Sequence, residues 1–333
     1  MTPHQYIERE TLDVRTESLY WDQVIRFMYS TVRENVPALF KALTGPRLSS
    51  IVGFLNYEFF LGRKITGNRR FFVKSGIKMT ECFEPFETLD TPRKIFERKI
   101  RYWETRPMPQ EADAVVSPAD ARVLIGSFCN SDAVFVKNKF FNYEQLLGRD
   151  KTEWLKAFTC ADYAIFRLTP DKYHYNHVPV AGRVVDFYEM EGRYHSCNPG
   201  AVIAMVTPYS MNKRIVTIID SDVPGGTRAG LVTMIEVVAC MIGDIIQCYS
   251  EEQYDNPLSV VPGMFLKKGS PKSLYRPGSS TDILLFQKGR IRFAADLVKN
   301  LHDGRVISRF TRGFGEPLAE TDVKARSFIG KII

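Results

Sequence analysis

The 333-residue chain carries five histidines, and two of them, His174 and His177, stand together in the segment YHYNHVP. An HxxH pair presents two imidazoles close together, as a metal site or an acid/base pair needs. For a metal the pattern lacks a third ligand: Cys82, Cys129, Cys160, Cys197, Cys240 and Cys248 form no CxxC pair and no metal-ligand spacing. That scatter indicates no disulfide framework either, so a reducing compartment is the expectation. A second polar group is SPAD at 117–120, directly before a β-type run, where Asp120 by itself reads as a turn former. A third is Pro277, Gly278, Ser279, Ser280, Thr281 and Asp282 ahead of the apolar segment 283–286, by itself a turn entering a strand. No G-x-S-x-G elbow is present, so a hydrolase serine is not suggested.

Such groups must be held by rigid elements, and the chain supplies them in two textures. From about residue 112 onward, short β-branched and aromatic runs at 122–128, 133–136, 164–168, 183–188, 201–206, 215–219, 231–239 and 283–286 alternate with turn residues and predict strands. One helical interlude, 143–158, carries Leu146, Leu147, Trp154 and Leu155. Many strands without regular intervening helices predict an α+β fold, an N-terminal helical region at 1–110 followed by a mostly antiparallel or mixed β domain at 111–333. There is no GxGxxG after a strand, no Walker loop and no repeat, which leaves nucleotide-dependent chemistry without support.

Upstream, Val24, Met28 and Val32 recur at helical spacing with Ile25 and Tyr29 beside them, predicting an amphipathic helix. A second apolar stretch, 51–61, follows Gly45 and Pro46 and leads into Arg63 and Lys64. Between Asp22 and Lys78 stand ten Lys and Arg against three Asp and Glu, which accounts for the whole chain's net charge of +7. A basic, aromatic-rich helical hairpin suits a membrane surface, where apolar burial and attraction to anionic lipid add together. The competing reading packs these helices on the body of the protein or on a second subunit. Nucleic acid is not expected, because the basic residues accompany a helical apolar face rather than a reading motif. The composition, 44% hydrophobic and 25% charged, is that of a globular protein. The first residues, MTPHQYIERE, lack the apolar core of a signal peptide, and no run reaches the ~18 apolar residues of a spanning helix.

Taken in order, these signals resemble the phosphatidylserine decarboxylase family, pyruvoyl-dependent enzymes that make their cofactor from an internal serine. The resemblance extends over roughly 51–286 and rests on VVSPADAR (115–122), AIFRLTPDKYHYNHVPVAG (164–182), YHSCNPGAV (194–202) and the turn Gly278, Ser279, Ser280, Thr281. It implies that a serine hydroxyl attacks the preceding carbonyl to give an ester, that elimination then cuts the chain, and that the resulting dehydroalanine hydrolyses to a pyruvoyl group. By motif position Ser280 is the nucleophile, His177 the base and Asp120 its orienting carboxylate. His174 is the candidate acid that returns a proton to the substrate carbon after carbon dioxide leaves. Counting back from Phe286 and forward from Gly269 both select Ser280 over Ser279, so the cut falls between 279 and 280 and yields chains 1–279 and 280–333.

The sequence also departs from the family pattern. Ser279 stands where glycine is usual, Ala121 follows SPAD where glycine is common, and Val238 and Asp244 interrupt the small-residue pattern of 237–245. Asn212, Lys213 and Arg214 replace an ERN-like segment, while Asn198, Pro199 and Gly243 fit. The implied reaction is phosphatidylserine to phosphatidylethanolamine and carbon dioxide, with a self-generated pyruvoyl cofactor and no metal. The implied setting is peripheral attachment to a membrane on the cytoplasmic side, with a phospholipid substrate and a homodimer as partners. Two alternatives stand beside it: a soluble pyruvoyl-dependent decarboxylase of a free amino acid such as tryptophan, and an unprocessed, non-enzymatic relative that binds lipid or a partner.

Overall fold

Alternate residues of the segment Ser280–Phe286 enter two different apolar layers. Leu284 and Phe286 pack with Phe166, Leu168, Val178 and Val238, whereas Ile283 and Leu285 pack with Val202, Tyr209, Ile235 and Val237. A strand buried on both faces belongs in the interior of a sheet that is itself covered on both sides. The computed structural model, which describes residues 2–19, 22–47, 51, 76–129, 142–205, 208–239, 244–278 and 280–333, places it there.

Sixteen strands are formed among the described residues. In chain order they are β1 Gln5–Glu8, β2 Val14–Thr16, β3 Ala114–Val116, β4 Ala121–Ser127, β5 Asp162–Leu168, β6 Tyr175–His177, β7 Gly182–Met190, β8 Arg214–Asp220, β9 Leu231–Val238, β10 Ile245–Gln247, β11 Phe265–Leu266, β12 Pro271–Tyr275, β13 Ser280–Phe286, β14 Ile291–Phe293, β15 Glu320–Val323 and β16 Phe328–Ile332. Ten build one sheet in the order β11-β7-β8-β9-β13-β5-β4-β15-β1-β2, antiparallel throughout except for the parallel pair β1 and β15. Two three-stranded sheets, β10-β12-β6 and β14-β16-β3, complete the β structure. β13 is paired along its whole length: Ser280 lies opposite Leu168 of β5 and Val238 of β9, and Phe286 lies opposite Asp162 and Val232. The fold is α+β, as the sequence predicts.

Several local expectations are corrected. The apolar run from 201, expected as a strand, begins inside a helix, Pro199–Ala204, because Asn198 caps it by accepting from the Gly200 amide at 2.8 Å and Pro199 fits its first turn. The interlude 143–158 is two helices, Tyr143–Leu147 and Thr152–Ala157, separated at Gly148, whose φ of 100° ends the first. Cys129 and Cys160, which the spacing did not pair, form a disulfide across 31 residues of sequence. Segments 52–61 and 133–136 lie outside the described residues.

The region at 1–110 is not helical throughout: β1 and β2 extend the large sheet at its edge. Beyond them the chain forms a helix, Asp22–Phe27, a π-helical turn, Met28–Val32, a last turn, Arg33–Asn35, and a second helix, Pro37–Leu43. Its apolar residues divide between two faces. Tyr29, Val32 and Phe40 are buried against Ala201, whereas Val24, Phe27, Val36 and Leu39 are exposed. Among the described residues no helix is long and apolar enough to cross a membrane.

A buried ionic network anchors the N-terminal edge. Arg167 on β5 donates to Glu17 at 2.9 and 2.7 Å and to Glu320 on β15 at 2.9 and 2.5 Å, His4 meets Glu320 at 2.7 Å, and Arg122 pairs with Glu17. Burial alone would raise the Glu17 carboxyl, but Arg167 and Arg122 overcome it and hold the group well below the usual carboxylate range. Removing one member of such a cluster leaves uncompensated charge in the interior. Arg167→Met is therefore expected to lower stability by about 3–5 kcal/mol in chemical denaturation; a change below about 1 kcal/mol, the size of a surface ion pair, would contradict this role.

Candidate active site

The SPAD segment becomes a turn locked against the chain's C-terminal part. The Ser117 amide donates to the Ser327 carbonyl and the Arg326 amide returns to Ser117, both at 2.8 Å. At its end the buried carboxylate of Asp120 accepts from Arg106 Nε at 2.8 Å, from Arg106 Nη2 at 2.6 Å and from the Ala325 amide at 2.8 Å. Desolvation would raise this carboxyl, but the bidentate guanidinium wins and lowers it to about 2. Arg106 also pairs with Glu81 at 2.8 Å, so its charge is shared between two carboxylates.

The turn in turn sets the second histidine. The His177 amide donates to the Pro118 carbonyl at 2.7 Å, and His177 ends β6, opposite Pro271 of β12. Its Nδ1 lies 2.8 Å from the Gly269 carbonyl, which can only accept, so Nδ1 carries the hydrogen and Nε2 keeps the lone pair. Gly269 presents that carbonyl from a φ of 78°, and a Cβ there would meet the Met108 sulfur at 2.4 Å, so the turn requires glycine. His177 Nε2 faces the Tyr173 hydroxyl at 3.0 Å, and the Tyr102 ring packs edge-on with centroids 4.8 Å apart. Burial lowers the imidazole to about 3, leaving it a neutral base.

His174 sits immediately before β6, stacked on Phe96 with ring centroids 3.6 Å apart. Its carbonyl accepts from the Tyr275 amide at 3.0 Å; both ring nitrogens are buried, and among the described residues neither makes a well-formed hydrogen bond, the Lys172 backbone being the polar group that bears on the ring. Burial, helped by the Arg98 charge, lowers this imidazole to about 3 as well. An unpartnered buried polar group is costly, and sites that must bind or transfer a proton are where such groups occur.

Ser280 is the first residue of β13. Strand alternation puts its side chain on the same face as Asp282, Leu284 and Phe286, the layer that also contains Val178 just beyond His177. Its hydroxyl is buried and has no hydrogen-bond partner among the described residues. The next side chain, Thr281, points the other way and donates to Cys197 Sγ at 3.1 Å. On the Ser280 face, Tyr275 donates to Asp282 at 2.7 Å. Gly278 holds a φ of 153°, which side-chain-bearing residues rarely adopt, so the approach to Ser280 is a glycine position. Ser279 lies outside the described residues.

The structure thus brings Asp120 and both histidines into one buried cluster, with the charge of Asp120 acting on each imidazole. It does not hydrogen-bond Asp120 to His177, because Arg106 occupies that carboxylate. Among the described residues no hydrogen bond links Ser280 to either histidine. Sequence reasoning missed Arg106, Phe96, Tyr173, Tyr254 and the Gly269 carbonyl. Only Tyr173, adjacent to the HxxH pair, stood where the motif could have drawn attention to it.

In the unfolded chain each imidazole takes its proton near pH 6.5, whereas in the folded protein both stay neutral down to about pH 3. As pH falls below 6.5 the unfolded state binds more protons, so stability declines across that window. Each histidine contributes a slope of about 1.4 kcal/mol per pH unit. Urea unfolding between about pH 6 and about pH 4 should show the decline, with one such increment missing from the slope in His174→Gln. An unchanged slope would mean that His174 does not stay neutral when folded.

Comparison with known proteins identifies the family. The sequence pattern of the family described as phosphatidylserine decarboxylase matches residues 93–308. A phosphatidylserine decarboxylase proenzyme of Chlamydia trachomatis serovar D is 31% identical over 300 residues, covering 88% of this chain and 90% of that protein. Proteins of the same name from Chlamydia pneumoniae, 29% identical over 91% of this chain and 94% of theirs, and Fusobacterium nucleatum, 26% identical over 89% and 91%, are similar in extent. Spanning nearly the full length of these relatives and carrying both the SPAD turn and the paired histidines in one buried cluster, this chain belongs to the phosphatidylserine decarboxylase family.

Proposed function

We propose that the chain is a self-processing proenzyme that cuts itself between Ser279 and Ser280 and then decarboxylates phosphatidylserine to phosphatidylethanolamine. The observation that carries this reading is the buried hydroxyl of Ser280, without a hydrogen-bond partner among the described residues, at the start of a central strand in a chain of this family. A hydroxyl without a hydrogen-bond partner has no local interaction to give up when it attacks the preceding carbonyl. His177, neutral with its Nε2 lone pair turned to the Tyr173 hydroxyl, serves as the base; Asp120, anionic and fixed by Arg106, supplies the negative potential that favours the imidazolium. The residues fit the pyruvoyl group that Ser280 would become: the face it shares is dry, and the only flanking position before Ser279 is a glycine. That group, when present, supplies a carbonyl that takes up a substrate amine and withdraws the electrons of the leaving carboxylate. His174, with neither buried ring nitrogen in a well-formed hydrogen bond among the described residues, is the residue that returns the proton to carbon.

The membrane half of the reading rests on the exposed apolar row Val24, Phe27, Val36 and Leu39, of which Phe27 is 57% exposed, interleaved with Arg26, Arg33 and Lys41. An apolar face rimmed by cations inserts at the interface of an anionic bilayer without spanning it.

Intact mass under denaturing conditions tests the cut. The wild-type chain is expected as two pieces, the smaller matching residues 280–333 with a blocked N-terminus, and Ser280→Ala as one. A single uncut wild-type chain overturns the proposal and favours a binding protein. His177→Ala is expected to stay uncut, while His174→Ala is cut but loses about 10²–10⁴-fold in turnover; the reverse pattern would exchange the two roles. Phe27→Asp with Leu39→Asp should abolish sedimentation with phosphatidylserine vesicles while leaving the cut unchanged. Carbon dioxide release from free tryptophan but not from such vesicles would replace the lipid substrate by an amino acid.

A further inference from the structure

The hydrogen bonds around His177 do not close on themselves but run on through two tyrosines to the backbone of Ile100. Nε2 meets the Tyr173 hydroxyl at 3.0 Å, Tyr173 meets the Tyr254 hydroxyl at 2.8 Å, and Tyr254 meets the Ile100 carbonyl at 2.8 Å while accepting from the Ile100 amide at 3.1 Å. Tyr254 is only half-buried and sits in the loop 250–258, among the exposed residues Glu251, Glu252, Gln253 and Asp255.

A count of hydrogens gives this row its meaning. With the His177 hydrogen committed to the Gly269 carbonyl on Nδ1, the contacts Nε2 to Tyr173, Tyr173 to Tyr254 and Tyr254 to the Ile100 carbonyl share two hydroxyl hydrogens among three places. One contact is therefore always short of a proton while His177 is neutral. A proton placed on Nε2 completes all three: Nε2 donates to Tyr173, Tyr173 to Tyr254, and Tyr254 to Ile100. We propose that Tyr173 and Tyr254 form a proton path that carries the proton taken up by His177 during self-cleavage out to the surface loop 250–258.

This inference rests on the self-cleavage reading, and the proton balance of that reaction requires such a route. In the elimination step the base removes the Cα hydrogen of Ser280, the C–H electron pair forms the Cα=Cβ double bond, and the Cβ–O ester bond breaks to release residue 279 as a carboxylate. One proton is left on the base in a site that disfavours the imidazolium. It passes from Nε2 to the Tyr173 oxygen as the Tyr173 proton moves to Tyr254 and the Tyr254 proton to water, which leaves every hydroxyl with one hydrogen and the solvent with one proton more. The groups facing this row from the packed elements are Tyr102, Asp120, Arg106 and Arg326 around His177, and Glu84 and Lys99 near Tyr254. Tyr173 and Tyr254 are thus positioning residues that act through His177.

The test measures the rate at which the full-length chain splits, in H2O and D2O, over a range of pH. Tyr254→Phe keeps the ring packed against Tyr102 and Tyr175 and removes only the hydroxyl. It is expected to slow the split at least tenfold and to turn a multi-proton solvent isotope effect into a single-proton one. A folded Tyr254→Phe chain that splits at the wild-type rate with the same isotope effect overturns the path. Should thermal unfolding show that this variant does not fold, 3-fluorotyrosine at position 254 retains the hydroxyl and lowers its pKa. The alkaline limb of the rate profile is then expected to move to lower pH, and an unmoved profile overturns the path. A wild-type chain that never splits, like its Ser280→Ala control, removes the self-cleavage reading itself and the path with it.

Discussion

The structure depends on β13 being an interior strand. Seven residues from Ser280 onward are paired on both sides, with β5 and β9, and their side chains are shared between the two largest apolar layers. A chain cut immediately before Ser280 would keep its new end inside the sheet, held by backbone hydrogen bonds and burial on both faces rather than by covalent connection. The residues after the cut add β14, β15 and β16, and β16 pairs with β3, which leads into the SPAD turn. Segments on either side of 279 are therefore interleaved rather than side by side.

Desolvation is the second constraint, and the site uses it in opposite directions. Burial makes both imidazoles worse proton acceptors and would make Asp120 a worse anion, yet Asp120 stays ionised because Arg106 meets it with two charge-assisted hydrogen bonds. Neutral bases and a fixed anion in one dry cluster are the conditions under which a proton can be moved on demand. Arg106 reaches this place from the end of the short helix Tyr102–Thr105, outside the motifs that carry the resemblance, and only the tertiary fold makes it a partner.

The N-terminal helices join the same body through the YHSCNPG segment. Tyr29 accepts from the Ser196 amide at 2.7 Å, Phe40 stacks on His195, and the Tyr194 amide donates to the Thr44 carbonyl at 3.0 Å. Asn212 in turn braces His195 by accepting from its amide and donating to its carbonyl. A segment that carries part of the family resemblance thus also serves as the seat for the helices that carry the exposed apolar row.

The sequence by itself determined what local periodicity and short motifs can encode: the β-rich body, the positions of β4, β5, β7, β8, β9 and β13, the paired histidines and the SPAD turn. It misread 201–204 as a strand because β-branched residues there outweighed the Asn198 and Pro199 start signal. It did not find β1 and β2 within a region read as helical, because strands of four and three residues carry little alternation of their own. The tertiary structure alone decided which groups meet: that Arg106 rather than His177 takes Asp120, that a glycine carbonyl selects the His177 tautomer, that Tyr173 and Tyr254 extend from it, and that Cys129 joins Cys160. The physical reason is that hydrogen bonds and ion pairs between residues as far apart as Asp120 and Arg106, 14 positions, or His177 and Gly269, 92 positions, leave no period in the sequence, whereas burial of a strand or a helix face does.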